Sequence, residues 1–203
     1  MKHLVAVVCV VALLVGCGGR EEVEVEPVKV DPGQGFVDAS KLRERNGIQY
    51  RGRKPFTGVA VSRYGSGQKK WEARYRAGKK EGPYTQWHEN GEKKSEGTMK
   101  WGKPDGLAVG WYENGVKMVE GTYRDGGEDG PRTWWHENGQ KAFDLVYKAG
   151  KLVSAYGWRP NGEKCPVTNV VNGNGDWVSY NEDGSEYGRT TYRNGELIDW
   201  KSQ

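Results

Sequence analysis

Two histidines in the middle of the chain are the residues whose type could carry acid–base or metal chemistry. His88 and His136 each precede a Glu-Asn-Gly run, and Tyr112 takes the same position midway between them. If each intervening unit contributes two strands, the histidines lie four strands apart, roughly 19 Å at 4.8 Å per strand. A metal ion needs ligands that converge within about 2 Å of it. The spacing therefore predicts neither a metal site nor a catalytic histidine pair.

Repeated carboxylates follow those positions, and their regularity argues against catalysis. An active site needs an asymmetric cluster of groups in perturbed environments, whereas these acids recur beside identical turns. No Gly-Lys-Ser or Gly-Lys-Thr run opens a phosphate-binding helix, and no cofactor is predicted. The repeated acids are Glu89, Glu113 and Glu137. We therefore expect a protein that is not an enzyme.

The composition indicates many short strands around a small core. Only 35% of the 203 residues are hydrophobic, while glycine (31) and tryptophan (9) are abundant. Frequent glycine with evenly spaced aromatics suits strands joined by tight turns, and disordered chains are poor in aromatics. The formal net charge of +4 is small and the charged residues of both signs are mixed along the chain. No nucleic-acid partner is predicted from this balance.

The first seventeen residues have the pattern of an export signal. Lys2 precedes an apolar run from Leu4 to Val15, which is too short to span a bilayer. The run ends in Leu-Val-Gly before Cys17, and this resembles the bacterial lipobox. The resemblance implies removal of residues 1–16, lipidation of Cys17, and an exported lipoprotein anchored in the membrane. Because Gly18 and not aspartate follows, it implies the outer membrane if the source has two membranes. A plain secretory signal is the alternative.

The segment after the cysteine reads as a spacer. Residues 17–40 alternate glutamate and valine and contain two prolines, which favours a flexible tether. Of the three cysteines, Cys9 would leave with the signal and Cys17 would be lipidated. Cys165 then has no partner for an internal disulfide, and we expect it to be a half-buried packing residue.

From residue 41 to 203 the chain is a tandem repeat with a period near 24 residues. Trp87-His88-Glu89-Asn90-Gly91 recurs as Trp111-Tyr112-Glu113-Asn114-Gly115 and again from Trp135. A partial unit with Asn46-Gly47 comes first. About six units of 22–25 residues follow at 58–82, 83–106, 107–130, 131–154, 155–176 and 177–199. The last two units diverge most, as expected of the end of an array.

Each unit reads as two strands around a turn that ends in glycine. Trp111 lies four residues before the turn glycine Gly115. Val119, Gly121 and Tyr123 lie four, six and eight residues after the same glycine. We expect a three-residue loop closed by a left-handed glycine, because this loop places both sets on the same side of the sheet. A second, looser turn would then join each hairpin to the next.

The predicted register pairs each tryptophan with the lysine two residues past the turn glycine. A lysine stacked on indole contributes about 0.5–1 kcal/mol at an exposed site. These rows are interpreted either as a structural ladder or as a ligand face. The binding candidates are Trp87, Trp111, Trp135, Trp158, Tyr123, Tyr147, Lys93, Lys117 and Lys141.

The recurring Trp-x-Glu-Asn-Gly-x-Lys and Glu-Gly-x-Tyr runs resemble the MORN-repeat variant of bacterial exported proteins, some of them antitoxin-like. The resemblance covers residues 42–203. It implies an all-β fold, in which tandem hairpins form a single-layer, elongated, antiparallel sheet. Unit one departs from the pattern with Arg63 and Ser66, and units five and six lose the Glu-Gly-Thr run.

Three functions follow as hypotheses. The first is a membrane-anchored scaffold whose repeats bind another protein or an envelope polymer, since repeat arrays offer extended faces. The second is an antitoxin-like protein that neutralises a partner toxin. The third is an envelope glycan hydrolase, which needs two carboxylates about 5–9.5 Å apart across a cleft.

Overall fold

The computed structural model describes residues 36–181 and 183–202. The predicted signal peptide, the lipidated Cys17 and most of the predicted tether lie outside these residues. Within the described residues, Phe36–Asp38 of the predicted tether forms a strand. Within the described residues, the structure contains no helix with the length and hydropathy needed to span a membrane.

Among the described residues, fourteen strands form one sheet, and from β5 onward consecutive strands of the chain are neighbours in it, which confirms the predicted all-β repeat architecture. The sheet order is β1, then β5 to β17 in succession. Its strands are β1 (Phe36–Asp38), β5 (Gly58–Arg63), β6 (Lys69–Arg76), β7 (Lys79–Trp87), β8 (Lys93–Lys100), β9 (Lys103–Trp111), β10 (Lys117–Arg124), β11 (Gly127–Trp135), β12 (Lys141–Lys148), β13 (Lys151–Trp158), β14 (Lys164–Val171), β15 (Asn174–Tyr180), β16 (Glu186–Arg193) and β17 (Glu196–Ser202). All pairings are antiparallel except that of β1 with β5, which is parallel.

The predicted partial unit forms a separate small sheet. It consists of β2 (Arg43–Arg45), β3 (Ile48–Arg51) and β4 (Lys54–Pro55), and a short 3₁₀ turn at Ala39–Lys41 precedes it. The Gln49 N–H donates to the Gly78 carbonyl at 2.9 Å, and the Gly78 N–H donates to the Phe56 carbonyl at 2.7 Å. These bonds attach the small sheet to the first turn of the large one.

The predicted three-residue hairpin loops are confirmed in all six units. In the loop 89–91, the Gly91 N–H donates to the His88 carbonyl and the His88 N–H donates to the Glu92 carbonyl. Gly91 has φ +93°, in the left-handed region that glycine adopts without a Cβ penalty. The same pair of bonds closes the loops at Gly67, Gly115, Gly139, Gly162 and Gly184.

The second turn is tight, and the prediction of a looser connection is wrong. Arg76 pairs with Lys79 across only two residues, Ala77 at φ +48° and Gly78 at φ +80°. Positive φ at both central residues is the mark of a type I′ turn, whose twist matches that of the strands it joins. Equivalent two-residue turns follow at Trp101, Asp125, Ala149, Asn172 and Asn194.

A bulge beside each hairpin loop overturns the predicted sidedness. Trp111 pairs with Lys117, but the preceding Gly110 pairs with Val119, so Met118 has no partner. Because directly opposed residues share a face and neighbours alternate, the extra residue reverses the parity of the following strand. Trp111 therefore points to one face, and Val119, Gly121 and Tyr123 point to the other.

We call these two surfaces the ladder face and the core face. The ladder face carries the predicted row Trp87, Trp111, Trp135 and Trp158. The core face carries Val119 and its register partners, and these include a second set of tryptophans. That second set is Trp71, Trp134, Trp177 and Trp200. The expectation that the aromatic and apolar positions share one side is thus wrong.

Two small clusters cover the ends of the core face. At the N-terminal end, Phe56 and Val37 pack with Ala60, Ala73 and Tyr75. At the C-terminal end, the fully buried cluster is Leu145, Leu152, Ala155 and Val170. There Phe143 on β12 meets Trp177 on β15 with ring centroids 5.0 Å apart. Three strand spacings in a flat sheet would be about 14 Å, so the sheet curls strongly around this cluster.

Candidate functional site: an apolar groove on the core face

Between the two clusters the core face is left open over β7 to β10 and forms a groove of about 840 Å³. Tyr84 on β7 and Val119 and Tyr123 on β10 supply its two walls. These strands are three apart in the sheet, roughly 14 Å, and the groove between them runs along the strands. Its size lies within the range of sites that hold ligands.

Small residues make the floor of this groove. A Cβ added to Gly97 would lie 3.2 Å from the Ala108 Cβ, and one added to Gly110 would lie 3.1 Å from the Val119 Cγ1. These contacts are tight, so the floor has little room for larger side chains close to the backbone. The floor residues are Ser95, Gly97, Ala108, Gly110 and Gly121. In the units on either side, the corresponding region is filled by Trp71 or by Phe143 and Leu145.

The polar groups around the groove lie mainly at its two ends. Lys80 is half-buried at the end near the type I′ turns, with its Nζ 4.4 Å from the centroid of the Tyr84 ring. Burial lowers the pKa of the Lys80 ammonium. On the neighbouring strand, Arg132 pairs with Glu128 and donates to the Tyr123 hydroxyl at 3.2 Å. Lys94 lines the opposite end, beside the hairpin loops.

The predicted tryptophan and lysine candidates lie on the ladder face, but their contacts differ from the prediction. Each lysine is opposite the tryptophan of its own hairpin, as expected. Its ammonium, however, lies over the tryptophan of the next unit, at 5.2–5.7 Å from the ring centroid. The observed pairs are Lys69 with Trp87, Lys93 with Trp111, Lys117 with Trp135 and Lys141 with Trp158.

These contacts join successive units. Each of the four lysines also pairs with the acid three residues later, at 2.6–2.8 Å from Nζ to the carboxylate. These four cations of the ladder face are therefore each paired with both an aromatic ring and a carboxylate. Such a row of satisfied charges stabilises the contact between neighbouring hairpins.

The two tyrosine candidates lie on the core face, away from the tryptophan row. Tyr123 is part of the groove wall. Tyr147 packs against the C-terminal cluster, where burial raises the pKa of its hydroxyl. The predicted candidates are therefore divided between two surfaces. Tyr123 lies on the groove wall from the core face, and Trp111, on the ladder face by its register, borders the groove at the end of its strand.

His88 and His136 have a role that the sequence reasoning missed. The His88 Nε2 donates to the Trp111 carbonyl of the next unit at 3.0 Å, and the Tyr112 hydroxyl donates in the same way to the Trp135 carbonyl at 2.8 Å. His136 lies 3.2 Å from the Trp158 carbonyl. Histidine and tyrosine alternate because both carry a donor at this reach. No group of three potential metal ligands occurs among the described residues.

The side chain of the turn asparagine forms a second inter-unit bond. Asn90 donates from Nδ2 to the Glu113 carbonyl at 2.9 Å, while its Oδ1 accepts from the Glu92 N–H. Asn114 and Asn138 do the same one and two units later. The repeated Glu-Asn-Gly run thus sets both the loop and the stacking of the next loop.

The groove residues Lys80, Tyr84 and Ala108 were not among the predicted candidates. One signal in the sequence could have indicated a second face. Trp134 and Trp135 are adjacent, and neighbouring residues of a strand point to opposite sides. Two aromatic faces were therefore required.

Comparison with known families supports the repeat assignment. Three segments, residues 80–100, 104–125 and 128–149, match the family model described as MORN repeat variant. They include most of β7 to β12, and so they contain the strands that line the groove. A search among curated proteins finds no match for the chain.

Proposed function

We propose that this protein is a binding scaffold without catalytic activity, and that the groove on its core face holds an extended segment of a partner protein. The observation that carries the proposal is the uneven cover of this face. Packed side chains fill it at both ends, whereas its middle is open over a floor of small residues. Three matched MORN-variant repeats are consistent with such a scaffold.

The chemistry of the groove suits a segment recognised through its side chains. The backbone groups beneath it are already paired in the sheet, for example in the β8–β9 ladder. A bound segment would therefore gain most of its affinity from apolar contacts with Tyr84, Met99, Val119 and Tyr123. Aromatic and methionine side chains are enriched at such contacts because they bury large areas and adapt their shape.

The ladder face is the weaker candidate for this role. The ammonium groups of Lys93 and Lys117, in the middle of its tryptophan row, are each paired with a carboxylate at 2.6–2.7 Å, so a charged ligand there would have to displace an existing partner. The groove offers apolar surface without such competition. We therefore assign binding to the core face and inter-unit cohesion to the ladder face.

Side-selective crosslinking tests the groove. Ala108 lies on its floor, and the adjacent Leu107 is 55% exposed on the ladder face. A photoreactive amino acid at position 108 in the source cells should form one adduct that is absent with the same group at position 107. Ala108→Trp should fill the groove and abolish binding of the captured partner, while Leu107→Trp should not. Equal adducts from both positions would contradict the proposal.

The identity of the captured partner separates the remaining possibilities. A toxin whose activity is blocked by the scaffold would support the antitoxin-like function. A structural envelope protein would support a scaffold of the cell surface. An adduct formed only with an envelope polymer would contradict the proposal that the groove holds a segment of a protein.

We further propose that the scaffold is exported and held at a membrane by lipid on Cys17. The proposal rests on the apolar run that ends in Leu-Val-Gly before that cysteine. Several acyl chains on one residue anchor a protein stably, where one chain holds only marginally. Cys17→Ala should move the protein from the membrane pellet to the soluble exported fraction. Continued pelleting of the variant would argue against the anchor.

A further inference from the structure

Within the described residues, Lys80 lacks the ion pair that the four stacked lysines of the ladder face make. Lys69, Lys93, Lys117 and Lys141 each have a carboxylate within 2.8 Å. The Lys80 ammonium lies over two rings, 4.4 Å from the Tyr84 centroid and 5.8 Å from the Trp71 centroid. Among the residues that the structure describes, no carboxylate lies within ion-pair distance of it. It is a half-buried charge whose described partners are aromatic rings and not a carboxylate.

The surrounding acids are already engaged or lie elsewhere. Glu81, the next residue along the chain, accepts from the Trp101 N–H at 2.8 Å and pairs with Arg76 at 2.6 Å. Glu128, which occupies the position of Lys80 two units later, pairs with Arg132. The exposed Glu113 and Glu137 belong to hairpin loops, at the other end of the strands.

The groove is therefore mainly apolar between its ends and cationic at the end near the type I′ turns. An ammonium that has lost part of its water gains more from an opposite charge than one in bulk solvent, because the local dielectric is lower. Hydrogen bonds to ionised groups are about twice as strong as those between neutral groups. A carboxylate arriving with a ligand would meet these conditions at Lys80.

We propose that the partner segment in the groove carries a carboxylate, from an aspartate, a glutamate or a chain terminus, which pairs with Lys80. This inference rests on the proposed function of the groove and adds a chemical class to its ligand. A phosphorylated segment fits less well, because phosphate recognition in proteins commonly uses clusters of arginines. Among the described residues that line this end of the groove there is one ammonium, that of Lys80, which suits a singly charged carboxylate.

The test needs no knowledge of the natural partner. A random dodecapeptide library is selected on the full-length protein in detergent. Peptides that bind the unaltered protein but not the Ala108→Trp variant are kept as groove ligands. The consensus peptide is then synthesised in two forms that differ only by glutamate or aspartate against its amide. We expect the acidic form to bind about tenfold or more tightly than the amide form.

The matching change in the protein is Lys80→Met, which keeps the apolar stem and removes the charge. It should abolish the preference for the acidic peptide and leave the affinity for the amide peptide unchanged. Lys79→Met is the control, because Lys79 is exposed and its side chain points to the opposite face. If Lys80→Met does not fold, Lys80→Gln takes its place. The comparison of the two peptides on the unaltered protein still tests whether the groove prefers a carboxylate.

The outcomes separate the two proposals. Groove peptides without an enriched acid, or an acid preference that survives Lys80→Met, would overturn the role of Lys80 and leave the groove assignment standing. If every selected peptide still binds the Ala108→Trp variant, the groove is not the binding site, and both proposals fail.

Discussion

Trp111→Ala separates a structural role of the ladder face from a binding role. The Trp111 side chain is half-buried, and the Lys93 ammonium lies 5.7 Å from its ring centroid. Truncation of a fully packed tryptophan costs about 3–5 kcal/mol, so a half-buried one should cost about half of this. The lost contact with Lys93 adds about 0.5–1 kcal/mol. We expect a total loss of about 2–3 kcal/mol in the free energy of unfolding.

In a chain of this size each kcal/mol lowers the melting temperature by about 2–4 °C, so the expected drop is about 5–10 °C. Thermal unfolding followed by circular dichroism measures it, and Leu107→Ala on the same face, at 55% exposure, is the matched control. Groove peptides should bind Trp111→Ala normally at temperatures well below its melting point. An unchanged melting temperature together with lost peptide binding would refute the reasoning, because the ladder face would then be the binding surface.

Two further predictions concern the turns and the strands that they join. Gly175→Ala should destabilise the protein by about 3 kcal/mol or more, since the residue has φ +134° and its new Cβ would lie 2.1 Å from the Asn169 carbonyl oxygen. Gly115→Ala has open space and only the left-handed backbone to accommodate, so urea unfolding should show a loss of about 1 kcal/mol; equal losses would contradict the comparison. The backbone hydrogen bond from Trp101 lowers the pKa of Glu81, so its contribution to stability is present above the ordinary glutamate pKa and lost as the pH falls through the lowered value. Glu81→Gln should therefore weaken the dependence of the melting temperature on pH on the acid side, and an unchanged pH profile would argue against this cap.

Much of the fold follows from local rules that the sequence displays. The three-residue loop was predicted correctly from a same-side argument that the bulge overturns; what favours it locally is the Glu-Asn-Gly run, in which Asn90 accepts from the Glu92 N–H and Gly91 takes the left-handed conformation. The pairing of Trp87 with Lys93 follows from the loop. These features depend on residues within one hairpin, so one unit suffices to predict them.

The sidedness of the strands was not predictable in the same way. It depends on the extra residue at Lys94 or Met118, and a bulge has no fixed residue signature in these units. The contact of each lysine with the following unit also depends on the stacking of hairpins. Neither effect can be read from one unit in isolation.

The groove could not be predicted from one repeat, because it depends on differences between neighbouring units of the array. Gly97, Gly110 and Gly121 have ordinary places in a strand pattern, and they form a floor only because the units on either side fill the same face with larger residues. At Ala77 and Trp101 the type I′ turns were missed because alanine and tryptophan occupy the positive-φ position, where asparagine is usual.

The most direct test of the account is the reactivity of a single cysteine on each face of β9. Ala108→Cys and Leu107→Cys are treated with a maleimide, with and without a selected groove peptide, and the modified residue is identified by peptide mapping. Cys165, at 1% exposure, should remain unmodified in the folded protein. The account predicts that both new cysteines react in the free protein and that the peptide protects only position 108. Protection of position 107 alone, or a position 108 that never reacts, would contradict an open groove on the core face.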